Sequence, residues 1–186
     1  MKMKKIVILA VAMAAIAANA ATFSWKTTTS GKLYGADSTT VIASATAYLF
    51  DSTVVSQAAL LTAFEAGTDI STLAKTDMTT VTSGAIAQKT FDVPAGYNEG
   101  DTFSAFFAVV VDDSVYISSL ATASTPATGN KGMSFNEKNA SQAVAFETTG
   151  GFQGAGWYTA AAVPEPTSGL LMLVGLAGLA LRRRRA

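Results

Sequence analysis

The chain closes on an apolar run, Ser168 to Leu181, that carries no charge and is followed at once by four arginines, Arg182 to Arg185. As a helix rising ~1.5 Å per residue, this run reaches about 21 Å. A bilayer core is about 30 Å thick. A transmembrane helix over about 168–181 therefore needs local thinning or arginine snorkelling to cover the mismatch. The positive-inside rule keeps Arg182, Arg183, Arg184 and Arg185 cytoplasmic, as a stop-transfer flank. Gly175 and Gly178 either let this helix approach another closely or are ordinary tolerated glycines. Just upstream, Pro164-Glu165-Pro166 resists helix, because proline fixes its own φ and turns the preceding residue away from α. Val163 and Glu165 are thus expected to stay extended.

The opposite end has the three parts of a secretory signal peptide. Lys2, Lys4 and Lys5 give a positive start, Ile6 to Ala18 an apolar core, and Ala18-Asn19-Ala20 small residues for a signal peptidase. Cleavage after Ala20 leaves Ala21 as the mature N-terminus. A cleaved signal at one end and a stop-transfer at the other put the middle of the chain outside the inner membrane and the arginines inside.

Residues 163–186, read as triplet, short apolar helix and arginine cluster in that order, resemble the PEP-CTERM sorting domain of Gram-negative bacteria. The resemblance implies processing by a membrane-embedded exosortase that cuts near Pro164-Glu165-Pro166. It also implies association with exopolysaccharide or the outer envelope, at the cell surface or in the extracellular matrix. It covers only the tail and leaves the middle of the chain unrecognised.

Removing both ends leaves 143 residues, 21 to 163, enough for one domain with a real core. The formal net charge of zero hides an asymmetry. Three lysines lie in the signal segment and all four arginines in the tail, so the middle keeps six lysines against twelve acidic residues. A domain of net charge −6 lacks the basic surface that nucleic acid requires. Cysteine and histidine are both absent. Their absence removes disulfides, Ser-His-Asp and Cys-His nucleophile systems, and the usual zinc and transition-metal ligand sets. No cofactor is expected.

Within residues 21–160 the pattern is mainly β. Thr22–Thr27 reads as a strand with Phe23 and Trp25 on one face, followed by a short element at Leu33 and Tyr34. Val41–Phe50 reads as a longer strand whose small residues on one face (Ala43, Ala45, Ala47) invite another layer to approach. The period then changes. Ser56–Ala66 predicts a helix with Ser56 as N-cap, Gly67 as the C′ residue, and Leu60, Leu61 and Phe64 facing a sheet. Thr68–Lys75 is a helical turn or loop, and Met78–Gly84 a short strand with a turn. Ala85–Val93 reads as one strand ended by Pro94. Thr102–Val111 and Ser114–Leu120 predict a hairpin across Asp112-Asp113, with Phe103, Ala105, Phe107 and Val109 buried. Ala121–Gly132 reads as a loop, and Gln142–Glu147 and Ala155–Ala160 as the last strands, with a linker and the sorting signal in 161–186. The expected architecture is a β-sandwich-like domain with one short helix, flanked by a signal helix (1–20) and a membrane helix.

Candidate chemistry is sparse. Asp112 and Asp113 are adjacent and suit a turn better than a catalytic pair, since glycosidase carboxyls face each other across a cleft. Asp37, Asp51, Asp92, Asp101 and Glu147 lie near strand ends. Calcium is the plausible metal for them, but no EF-hand spacing occurs, and neither catalytic nor metal residues are assigned. Trp25, Tyr34, Tyr97, Trp157 and Tyr158 suit either sugar stacking or a core, with the core the stronger reading for both tryptophans. Asn139-Ala140-Ser141 matches a glycosylation acceptor by chance. The Thr122–Thr128 stretch is rich enough in threonine to accept O-linked sugars. Three classes follow: a non-enzymatic surface or matrix protein, a carbohydrate-binding module needing exposed aromatics, and a carboxylate-based hydrolase needing facing acids. The first fits the composition best.

Overall fold

The computed structural model describes residues 20–27, 32–135, 145–147 and 151–159. Apart from Ala20, the predicted signal peptide lies outside them. So do the membrane helix, the sorting motif, the arginine cluster and Asn139-Ala140-Ser141. Among the described residues no helix is long and apolar enough to cross a membrane.

The domain is organised around its most β-prone segment. Strand β6 (Thr102–Val111) places Phe103, Ala105, Phe107 and Val109 on one face and Phe106 and Ala108 on the other, all buried. A strand covered on both sides must be the middle of three layers. Along one edge β6 pairs antiparallel with β2 (Ser44–Asp51). Along the other edge two shorter strands share it. Its second half pairs with β7 (Ser114–Ile117) and its first half with β8 (Ala121–Ser124). The β6–β7 connection is the predicted two-residue turn, with Val111 opposite Ser114 and Asp112 at φ 51°.

The return strand is shorter than Ser114–Leu120, ending at Ile117, because Ser118 leaves the ladder. Its hydroxyl accepts a hydrogen bond from the Phe107 N–H (2.9 Å) and its own N–H donates to the Phe107 carbonyl (2.9 Å). The chain then turns into β8 on the same edge of β6. The large sheet has eight strands in the order β10-β11-β7-β6-β2-β3-β4, with β8 beside β6. Here β3 is Asp77–Thr82, β4 is Ala85–Ile86, β10 is Ala145–Glu147 and β11 is Gly156–Thr159.

A smaller sheet covers one face. It has the order β5-β1-β9, with β1 (Ala21–Thr27) between an antiparallel β5 (Lys89–Asp92) and a parallel β9 (Gly129–Phe135). Phe23 and Trp25 of β1 and Met133 and Phe135 of β9 meet Ala47, Leu49, Phe103, Phe107, Val109 and Trp157 of the large sheet in one core. Phe23 stacks on Phe103 at 4.8 Å, and Phe135 meets Phe107 edge-on at 5.1 Å. Each such side chain contributes about 1.5–3 kcal/mol on burial. Of the small residues predicted on one face, Ala45 and Ala47 lie toward this second layer, while Ala43 precedes β2 and is exposed.

Helix α1 (Gln57–Glu65) covers the opposite face as predicted. Ser56 Oγ accepts the Ala59 N–H at 3.1 Å, and Gly67 takes φ 75° just past the end. Leu60 and Leu61 pack on Phe50, Phe106, Val115, Ile117 and Tyr158, joined by Ile70 from a 3-10 turn at Ile70–Thr72.

Three further readings are corrected. Ala85–Val93 is two strands, because the chain changes sheets at Ala87-Gln88. Ile86 ends the ladder on Val81, its N–H held by Thr27 Oγ1 (3.0 Å), and Lys89 begins the ladder opposite Trp25. Ala121–Gly132 is not one loop: it supplies β8 and the start of β9, with residues 125–128 as the loop between them. Val41–Phe50 is trimmed at its start, where Val41 instead bridges Tyr34.

Candidate functional site

The acidic residues singled out in the sequence are scattered, and most are held by nearby donors. Asp37 closes a turn in which its carboxylate accepts the Thr39 and Thr40 N–H groups (3.0 and 2.9 Å) and the Thr40 hydroxyl (2.6 Å). These bonds hold its pKa far below the usual carboxylate range. Asp69 is lowered in the same way by the Ser71 N–H at 2.8 Å. Asp101 Oδ2 accepts the Asn98 N–H at 2.7 Å, and Asp92 is exposed at the end of β5. Of Glu147 only the strand position, opposite Thr159, is described.

Asp51 differs in being buried, 4 % exposed. Its Oδ1 accepts the Thr53 N–H (2.8 Å) and hydroxyl (2.7 Å), and its Oδ2 accepts the Tyr97 hydroxyl at 2.8 Å. Burial pushes the Tyr97 phenol above its ordinary value, and the neighbouring Asp51 charge adds to the effect. An open cleft of about 510 Å³ lies here, between Asp51, Tyr97, Gly96 and Asp101. Among the described residues no three acidic side chains gather as a metal site would require.

Of the aromatic residues singled out, Tyr34 and Tyr97 are half-buried, and the other three are spent on the core. Trp25 and Trp157 are both fully buried. Trp25 Nε1 donates to Asp77 Oδ2 at 2.8 Å, and Trp157 Nε1 to the Tyr34 carbonyl at 2.9 Å. Tyr158, also buried, accepts the Gln153 and Gly154 N–H groups through its hydroxyl (2.9 and 3.1 Å). Asp77 was not singled out in the sequence. It holds both Trp25 and Lys89, the latter by a 2.8 Å ion pair, and nothing local in the sequence marks a partner 52 positions away.

Two further clefts share Asp112 as a wall at the β6–β7 turn. One, of about 440 Å³, runs past Asp37, Ile42, Ser44, Ser114 and Trp157. The other, of about 320 Å³, lies between Tyr48, Phe64, Asp69, Ile70 and Asp113. The last strand, β11, ends beside this turn, with Thr159 opposite Ser114 and their hydroxyls 3.2 Å apart. At the other terminus Ala20 is exposed and Ala21 opens β1. Of the signal-cleavage residues, Ala18 is outside the described set. All the sorting residues, Val163 to Pro166 and Arg182 to Arg185, are outside it too.

The described residues thus define a mainly β, β-sandwich-like domain with one helix, and the distinguishing residues are those that follow it. Residues 162–185 match the family model of the PEP-CTERM protein-sorting motif, so the chain carries the sorting signal of PEP-CTERM proteins. That signal implies export, a membrane-anchored precursor processed by an exosortase, and then the surface. No curated protein and no solved structure matches the chain.

Proposed function

We propose that this is a non-enzymatic structural protein of the cell surface or extracellular matrix, released from the inner membrane by an exosortase and retained with exopolysaccharide. The observation that carries the reading is the sorting motif, matched at 162–185, beginning three residues after the last core strand ends at Thr159. A folded domain joined so directly to an address fits a protein whose role is to be placed. Its acidic residues support the reading, since Asp37, Asp51, Asp69 and Asp101 accept hydrogen bonds that hold turns, Asp51 and Asp101 included although they line one cleft. The carbohydrate-binding alternative needs a row of exposed aromatics, and Trp25, Trp157 and Tyr158 are buried.

The test is cell fractionation with and without Pro164-Glu165-Pro166 changed to alanines. The altered protein is expected to accumulate uncut in the inner membrane, with the arginines still cytoplasmic. Normal cutting and normal surface delivery of that variant would overturn the sorting reading. Co-sedimentation of the mature protein with purified exopolysaccharide tests the partner.

A further inference from the structure

We propose that the β6–β7 turn end of the domain is a docking face for the membrane-embedded processing peptidase, with the Asp112-Asp113 turn as its contact. The inference rests on the sorting reading above and adds a second recognition element inside the folded domain.

The argument begins with reach. Strand β11 is an interior strand of the large sheet, flanked by β7 and β10, and it is fixed through Thr159. From Thr159 to Pro164 the chain has five steps of at most ~3.6 Å, so the triplet lies within about 18 Å of the strand end. A peptidase gripping Pro164-Glu165-Pro166 at the membrane surface must therefore sit against whatever surrounds Thr159. Two strands flank it: on one side Ser114, at the β6–β7 turn, and on the other Glu147 of β10.

Charge then selects the occupant. Asp37, Asp69, Asp112 and Asp113 line the two clefts at this end, and no lysine lines either. Asp37 and Asp69 are committed to their own turns. Asp112 and Asp113 have no hydrogen bond or ion pair among the described residues and remain available. An anionic headgroup layer repels such an end. A protein surface bearing basic or amide donors attracts it, and the attraction speeds encounter more than it adds affinity.

The test uses the full-length precursor in cells that contain the exosortase, with conversion to mature protein followed by pulse–chase. Asp112→Asn with Asp113→Asn keeps the turn, because asparagine tolerates the left-handed conformation of residue 112. This variant is expected to be processed roughly three- to tenfold more slowly, the scale of a rim-charge effect on association. Asp113→Asn alone should give an intermediate rate, and melting of each variant's domain checks the fold. Inserting twelve Gly/Ser residues after Ala160 lets the domain stand off by a further ~20 Å. With that insertion, the charged and neutralised chains should be processed at equal rates. Processing of the neutralised chain at the original rate overturns the proposal. Faster processing overturns it too, since it would mean that the carboxylates only hold the domain off lipid. A slow rate that the insertion does not relieve also overturns it. If alanines at Pro164-Glu165-Pro166 leave processing unchanged, the sorting reading itself falls, whatever the aspartates do.

Discussion

At Ser118 the edge of β6 passes from one partner strand to another, and a side chain bridges the gap. The Phe107 N–H is buried and has the Ser118 hydroxyl as its acceptor at 2.9 Å, while the hydroxyl donates onward to the Ser119 carbonyl. Gln57 Nε2 donates to the Ser118 carbonyl at 2.6 Å, tying the start of α1 to the same point. Ser118→Ala strands the amide, which is expected to cost about 1–3 kcal/mol. A denaturant midpoint equal to that of the parent chain would show that the amide needs no such partner. Gly84 is constrained twice over. Its φ is 76°, and an added Cβ would lie 2.8 Å from Val41 Cγ1 and 3.0 Å from the Leu33 carbonyl. Gly84→Ala should therefore cost more than the ~1–2 kcal/mol of left-handed backbone alone, read by the same unfolding curve. Tyr97 gives a pH signature. Its folded pKa is raised, so the stabilisation is complete below the ordinary phenol value near 10 and is lost as pH rises through the folded value. Tyr97→Phe should flatten the decline of melting temperature above about pH 10 relative to the parent chain. Ser118 and Gly84 were not marked in advance, and Tyr97 only as an aromatic, because each acts through a partner that only the fold brings near.

Elements that carry their own pattern were legible, and those defined by a neighbour were not. Strand β6 combines aromatic and β-branched residues with alternation, and α1 has an N-cap serine, a helical apolar face and a glycine at its end. Both appear where expected. Ser56→Ala should cost about 1 kcal/mol through loss of the cap. Phe107→Ala should cost about 3–5 kcal/mol, since Phe107 meets Trp25, Tyr116 and Phe135 in the core. An unchanged melting temperature for Phe107→Ala would be incompatible with this packing. Strand β9 reads GNKGMSF and buries only Met133 and Phe135, so its composition says loop. It is a strand because β1 supplies a complete parallel ladder from Ala21 to Thr27. The break inside Ala85–Val93 was equally hidden, since the residues on both sides suit a strand and only the change of partner separates them.

At the scale of the molecule, stability comes without disulfides, the chain having no cysteine. Two sheets share a single core, so residues 21–161 alone should unfold in one cooperative transition, with calorimetric and van't Hoff enthalpies equal. The sorting signal was fully legible because it is contiguous and its physics is local: prolines, an apolar length and a charge cluster. The role of the domain was less so, because buried tryptophans and turn-bound aspartates look the same in sequence as sugar platforms and catalytic acids. The placement of β1 has one more consequence, for the timing of folding. The first strand of the mature chain lies in the middle of the small sheet, and its parallel partner ends at Phe135. The small sheet cannot close until more than a hundred further residues are available, and pairing at such separation is slow. A chain that emerges N-terminus first thus holds its first strand without its final partner until nearly all of the domain is available.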